Sequence, residues 1–435
     1  MKQPAIKNRV DVVTLGCSKN LVDSELLMRQ LVSNGYTLEH DSDNPRGEIA
    51  IINTCGFIGD AKEESINTIL SFAEAKNENR LKKLYVMGCL SERYREELQD
   101  EIPEVDKFYG KFDWRGIIAD LGKSYNKELE FERSLSTPSH YAYLKISEGC
   151  NRTCSYCSIP LITGKYNSRP IEKIEEEVRR LVDKGVKEFQ FIAQDLTYYG
   201  LDLYKSMKLP ELVERVSDIK GVEWIRLHYA YPAHFPLDLL RVMRERDNVC
   251  KYLDIALQHI SDRMLKIMRR NITKQQTIDL INTIREEVAC IHLRTTMMVG
   301  HPGEQQEDFD ELMDFVSEFK FERLGAFPYS HEEDTYNDKN YKDDVDASVK
   351  QERMNKIMET QEGISLSLNE SKVGDTVKVI VDREDSEFYV GRTQFDSPEI
   401  DGEVLISKEI ELNIGNFYDV TIESAYPFDL IGRVR

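Results

Sequence analysis

Three times within its first 89 residues the chain runs through an apolar strand into a cysteine and then into a helix. "RVDVVTLGC" ends at Cys17 and is followed by "LVDSELLMRQLVSNG"; "EIAIINTCG" contains Cys55 and precedes "DAKEESINTILSFAEAK"; "KKLYVMGCL" contains Cys89 and precedes "SERYREELQD". Strands alternating with helices call for a parallel sheet, because a parallel neighbour is reached only through a crossover. The cysteines are 38 and 34 residues apart, about one strand–helix unit each. Each therefore falls at the carboxyl end of a strand, just ahead of a helix N-terminus. In open α/β sheets the ligand crevice lies along that edge, where helix N-termini favour thiolate and other negative charge. A single such cysteine reads equally well as a small buried core residue. Three at equivalent positions are expected to converge on one site.

The alternation resumes after a polar stretch, "KSYNKELEFERSLSTPSH" at 123–140, which reads as a connector. "YAYLKIS", "KEFQFIAQ", "EWIRLHYA", "YLDIALQ", "HLRTTMMV" and "RLGAFPYS" are six strand candidates separated by helical segments. Six such units suggest a barrel or partial barrel with its chemistry at the carboxyl ends of the strands. The acidic run at 332–347 reads as a solvated linker. From about 371 the apolar period changes to two, in four stretches that read as a small β-barrel. The expected fold is α/β. It comprises a Rossmann-like parallel sheet over 1–125, a partial (β/α)6 barrel over 136–370 and a small antiparallel β-barrel over 371–435.

A chain of 435 residues holds more than one core. Its start lacks the apolar centre of a signal peptide, and no apolar run approaches the roughly 18 residues of a membrane span. A soluble cytoplasmic protein with no membrane contact is expected. Eight cysteines in that compartment read as thiols, and clustered ones as metal ligands. The formal net charge is -20, and residues 371–435 carry 14 Asp/Glu against 7 Lys/Arg. Such a surface repels nucleic acid and attracts a basic protein.

"EGCNRTCSYCSIP" places Cys150, Cys154 and Cys157 in one loop after the first barrel strand. Soft thiolates select zinc or an iron–sulfur cluster. A structural zinc site takes four ligands from paired motifs, and no second C-x-x-C or nearby histidine pair closes the shell. A 4Fe-4S cluster held by three cysteines keeps one iron open for a small molecule.

This C-x3-C-x2-C loop, with Tyr156 ahead of its last cysteine, resembles that of the radical S-adenosylmethionine (SAM) superfamily. A three-cysteine domain before such a barrel and a small β-domain after it resemble the methylthiotransferases. "VTLGCSKNLVDSE", "INTCGFIGDAKEESI", "AQDLTYYG" and "LQHISDRMLKIMRR" resemble the branch that modifies an aspartate β-carbon in ribosomal protein S-twelve. The tRNA adenosine branch is the alternative; a Gln-Met-Asn run after the first cysteine is expected there. The resemblance implies two 4Fe-4S clusters. Cys150, Cys154 and Cys157 would hold the catalytic one, and Cys17, Cys55 and Cys89 an auxiliary one. It implies SAM as both methyl and radical source, and a donor such as a flavodoxin or ferredoxin. The basic ribosomal protein suits the acidic terminal barrel, and tRNA does not.

Gln194, Gln258 and Arg294, at barrel-strand positions, are further candidates for SAM, with Tyr156. Arg294 reads equally as a structural ion pair, or as the partner of a substrate carboxylate. Asp195, Tyr329 and Ser330 are weaker candidates for the same cavity, while Lys19 and Asn20 are placed to shape the Cys17 loop. His259 reads as structural, and Cys250 and Cys290 as buried core thiols. Asp23 and Glu25 suit the first helix dipole whatever the function. In "VGHPGEQ", His301 and Gln305 depart from the aromatic and threonine expected of the family.

Overall fold

The computed structural model describes residues 5–42 and 45–435. The first sheet is parallel throughout, in the order β2-β1-β3-β4-β5. Its strands are β1 (Ile6–Thr14), β2 (Thr37–His40), β3 (Gly47–Thr54), β4 (Lys83–Gly88) and β5 (Lys107–Phe108). Helices α1 (Ser18–Ser33), α2 (Gly59–Asn77) and α3 (Cys89–Glu101) follow β1, β3 and β4. β3 is apolar on both faces because both are covered. Ala50 and Ile52 pack with Ile69 and Phe72 of α2, whereas Ile49 and Ile51 pack with Leu27 and Leu31 of α1. The edge strands β2 and β5 are absent from the sequence expectation, since four and two residues carry too little apolar pattern to register.

The six expected barrel strands all form. β6 (Tyr141–Lys145), β9 (Glu188–Ile192), β10 (Trp224–Ala230), β11 (Val249–Ile255), β12 (His292–Val299) and β13 (Arg323–Pro328) pair in parallel in chain order. β6 and β13 do not pair, so the barrel is open along one side. Between β6 and β9 the two-residue strands β7 (Ser147–Glu148) and β8 (Asn167–Ser168) form an antiparallel clip that brackets the cysteine loop. Gly149 enters that loop at φ +74°, where a Cβ would lie 2.1 Å from the carbonyl oxygen of Lys165. Only glycine fits so close an approach. Phe189, Phe191, Ile225, Leu227, Leu253 and Ile255 belong to the main apolar core. Their alternating neighbours are polar and bond to one another, as Arg226 does with Glu188 (3.0 Å) and His228 with Gln190 (2.7 Å).

The last five strands close into a barrel in the order β14-β15-β16-β18-β17. They are β14 (Thr376–Glu384), β15 (Phe388–Thr393), β16 (Val404–Ser407), β17 (Phe417–Ala425) and β18 (Leu430–Val434). The final alternating stretch of the sequence divides into β17 and β18. The loop at 393–401 presents acids to the polar residues of the larger barrel. Asp396 pairs with Arg323 (2.5 Å), Asp401 with Arg294 (2.5 Å), and Glu399 accepts from the Tyr141 and Tyr143 hydroxyls (3.0 and 3.2 Å).

The structure refines or corrects four sequence expectations. The stretch at 123–140 connects the first two units and is pinned as well: buried Arg133 bridges Glu25 of α1 and Glu177, each at 2.9 Å. The acidic run at 332–347 is solvated along most of its length but is anchored at its start. Its Glu332 is buried and accepts from Lys62 (3.1 Å) and Arg93 (2.8 Å) of the first unit. Asp23 and Glu25 serve partners outside their helix, as Asp23 pairs with Lys145 of β6. Cys250 is buried, but Cys290 is exposed, in the turn before β12, with its φ at +58°. Among the described residues no helix is long and apolar enough to cross a membrane.

The terminal barrel is held on by Glu188, which is fully buried between Arg226 and Arg392 (2.8 Å). Burial raises its pKa, but the two guanidiniums outweigh that and bring it down to about 2. Glu188→Gln leaves two buried cations undercompensated and is expected to cost about 3–5 kcal/mol. Chemical denaturation of the purified chain measures this. The same linkage gives wild type a stabilisation that is complete above the ordinary carboxylate range and lost as pH falls towards about 2.

Candidate functional site

Both cysteine triplets open onto one cavity of about 400 Å³, lined by Cys17, Cys55, Cys89, Cys150, Cys154 and Cys157. The first three converge because β1, β3 and β4 are adjacent in the sheet and each cysteine follows its strand. Cys17 is the N-cap of α1 and Cys89 the first residue of α3. Gly16, at φ +90°, brings the turn against Cys55; a Cβ there would lie 2.8 Å from the Cys55 Sγ. Asn20 is fully buried and ties the turn to its neighbour, its Nδ2 donating to the carbonyls of Leu15 (3.0 Å) and Thr54 (3.1 Å). The buried Lys111 ammonium lies 3.7 Å from the Cys89 Sγ and 3.5 Å from Asp23. Cys17 is exposed at the cavity; desolvation there raises its thiol pKa, but Lys19, Lys111 and backbone N–H groups more than offset it, leaving it below the ordinary value. Burial dominates at Cys55, which is raised, and at Cys89, which is pushed up to about 12.

The second triplet lies on the loop after β7. The backbone N–H of Arg152 faces the Cys150 Sγ at 3.4 Å, and the Ser155 N–H donates to the Met268 carbonyl (3.0 Å). Arg270 is buried with its Nη1 3.2 Å from the Cys154 Sγ and 3.3 Å from the Tyr156 hydroxyl. The Tyr231 ring lies 4.0 Å from the Arg152 guanidinium and 4.2 Å from that of Arg270. Burial pushes Cys150 up to about 11 and raises Cys157 further. Among the described residues no three His, Cys, Asp or Glu side chains close on a single metal ion. The thiols line the cavity walls instead. Soft sulfur donors, a buried guanidinium and a volume within the usual range for ligand pockets suit a bulky iron–sulfur group with an organic partner.

Comparison with known proteins places this geometry. Residues 144–316 match the radical SAM superfamily, 9–110 the uncharacterized protein family UPF0004, and 373–434 the TRAM domain. The ribosomal protein uS12 methylthiotransferase RimO of Parabacteroides distasonis is 66% identical over 428 residues, spanning 98% of this chain and 99% of the relative. The protein of that name from Bacteroides thetaiotaomicron is 64% identical over 429 residues, 98% of each chain. The chain belongs to the RimO family. In fold it resembles the radical SAM methyltransferase TsrM of Kitasatospora setae, at 13% identity and a TM-score of 0.53, over 74% of this chain and 72% of that one. Radical SAM proteins use SAM and a 4Fe-4S cluster, and the matched residues include Cys150, Cys154 and Cys157.

Within this cavity the structure places Tyr156, Gln194 and Gln258 on the wall with the six cysteines; Asp195 lines it too, held by Arg152 at 2.7 Å. Gln258 reaches it from a backbone at φ +74°. Arg294 corrects the expectation. It does not line the cavity, because it lies near the start of β12, away from the carboxyl edge, and its guanidinium is taken by Asp401. Tyr329 and Ser330 are also absent from the wall. His259 is buried and accepts from the N–H groups of Ile260 and Ser261. His301, the family departure, is buried between the rings of Tyr156 and Tyr329 and bonds Asn337 (2.7 Å). Gln305 fills its N-cap position through its backbone N–H, which donates to Asp308 (2.9 Å).

Sequence reasoning missed Arg152, Arg270, Lys111 and Tyr231. The available signals were the arginine pair in "MRRN" and the lysine in "YGKF", neither distinctive without the fold. Gly16→Ala combines a strained φ with a contact to Cys55, and a loss of about 1–3 kcal/mol is expected. Faster alkylation of Cys55, followed by mass spectrometry on the metal-free chain, is the local signature.

Proposed function

We propose that this chain methylthiolates the β-carbon of an aspartate in ribosomal protein uS12. The observation that carries the reading is the single cavity shared by two thiol triplets from two different sheets. We assign Cys150, Cys154 and Cys157 to one 4Fe-4S cluster and Cys17, Cys55 and Cys89 to a second. Bound there with SAM, the two groups supply a radical that takes hydrogen from an unactivated carbon and a methylated sulfur to replace it. The protein's part is to hold and orient them.

Arg270 and the Arg152 N–H face thiol sulfurs of the first set, and Lys111 faces one of the second. Tyr156, Gln194 and Gln258 offer a phenol and two amides to SAM. Phe57, Ile58, Ala61, Ile159 and Ala256 give the wall an apolar share that keeps bulk water from the reacting carbon. The chain works as three units, 1–125 for the auxiliary group, 136–370 for the radical step and 371–435 for substrate recognition. A charge of -20 draws in the basic uS12 and disfavours tRNA. A flavodoxin or ferredoxin in the cytoplasm supplies electrons.

The test is anaerobic. Reconstituted enzyme, reductant and methyl-deuterated SAM are offered uS12 and total tRNA in parallel, with mass spectrometry on both. The expected result is a deuterated methylthio group on a uS12 aspartate; label on a tRNA adenosine contradicts the reading. Changing Cys150, Cys154 and Cys157 together to alanine should abolish SAM cleavage. Changing Cys17, Cys55 and Cys89 should preserve cleavage and stop methylthio transfer. Transfer that survives the second set of changes removes the sulfur-carrier role.

A further inference from the structure

We infer that Lys19 receives the carboxylate of the acceptor aspartate. The inference rests on the substrate reading above and adds the residue that recognises it. Four cations line the cavity: Lys19, Lys111, Arg152 and Arg270. Three are engaged. Arg152 pairs with Asp195, Arg270 lies on the Cys154 sulfur and the Tyr156 hydroxyl, and Lys111 lies between Asp23, Asn20 and Cys89.

Lys19 is different. Its Nζ lies 3.3 Å above the centre of the Tyr229 ring, and among the described residues it makes no hydrogen bond or ion pair. The residue is only 6% exposed. Asp254 is buried nearby and feels its charge, but bonds the Tyr229 N–H (3.2 Å) instead. Cys17 also feels that charge, two residues away. The ammonium thus rests on an aromatic face at the cavity wall with no carboxylate bonded to it, open to an anion from the cavity side.

Its position matches the chemistry required. Lys19 stands on the first turn of α1, two residues after Cys17, and its side chain reaches Tyr229 of β10. It therefore spans the two units that carry the two thiol sets. The reacting β-carbon of an aspartate is bonded to the side-chain carboxylate carbon. A cation gripping that carboxylate fixes the carbon one bond away, between the two triplets. Lysine suits the task because a compact point charge holds one oxygen without the bulk of a guanidinium fork.

The test measures binding of uS12, and of uS12 with asparagine in place of the acceptor aspartate, to reconstituted enzyme of matched iron content. Wild type should prefer the aspartate form by about tenfold or more, the scale of one charge-assisted contact. Lys19→Met should bring that preference to within about twofold of unity, and Lys19→Arg should retain part of it. An undiminished preference in Lys19→Met overturns the inference, including the case in which only iron loading changes and Lys19 serves Cys17 alone. Binding of neither form by wild type overturns the substrate reading and the inference with it.

Discussion

The structure depends on a buried ion pair between its first two units. Asp23, on α1 of the first unit, pairs with Lys145 at the end of β6 in the second, and both are almost fully buried. Lys111, also of the first unit, lies 3.5 Å from the same carboxylate. Burial raises the Asp23 pKa against the opposing pull of the two lysines. Removing one partner from such a set leaves charge uncompensated, so the arrangement fixes register where apolar packing alone would tolerate sliding. What it fixes is the meeting of two carboxyl edges. Each parallel sheet collects its cysteines at that edge, and the pair sets the edges face to face around one cavity.

Further contacts hold the same geometry from other sides. Arg133 in the connector ties α1 to Glu177, while Lys62 and Arg93 close on Glu332 beyond β13. The open barrel is thus clasped by the first unit near both of its edge strands. The loop at 393–401 engages its polar residues separately, through Arg226, Arg294, Arg323 and two tyrosines. Polar side chains that would otherwise make a poor barrel core are satisfied by acids from the last unit. That accounts for strands such as "HLRTTMMV", whose residues alternate between half-buried and buried although the sheet is parallel.

Much of this was legible in sequence because it follows from period and position. The six barrel strands, the cysteines at strand ends and the late change to a period of two are backbone-level signals. What escaped was long-range pairing. Asp23 and Glu25 look like helix-dipole acids, and Glu332 like a solvated acid; only the fold brings Lys145, Arg133 and Arg93 to them. Arg294 shows the converse error. Its chemistry suits a carboxylate, but its place near the start of β12 commits it to Asp401. Arg270 and Lys111 were invisible because a buried cation beside a thiol leaves no local pattern.

The central claim is that the two triplets face each other across one cavity. The most direct measurement treats the metal-free full-length chain with a short bifunctional thiol reagent and maps the links by mass spectrometry. The account predicts links that join Cys17, Cys55 or Cys89 to Cys150, Cys154 or Cys157. Links confined within each triplet would contradict it.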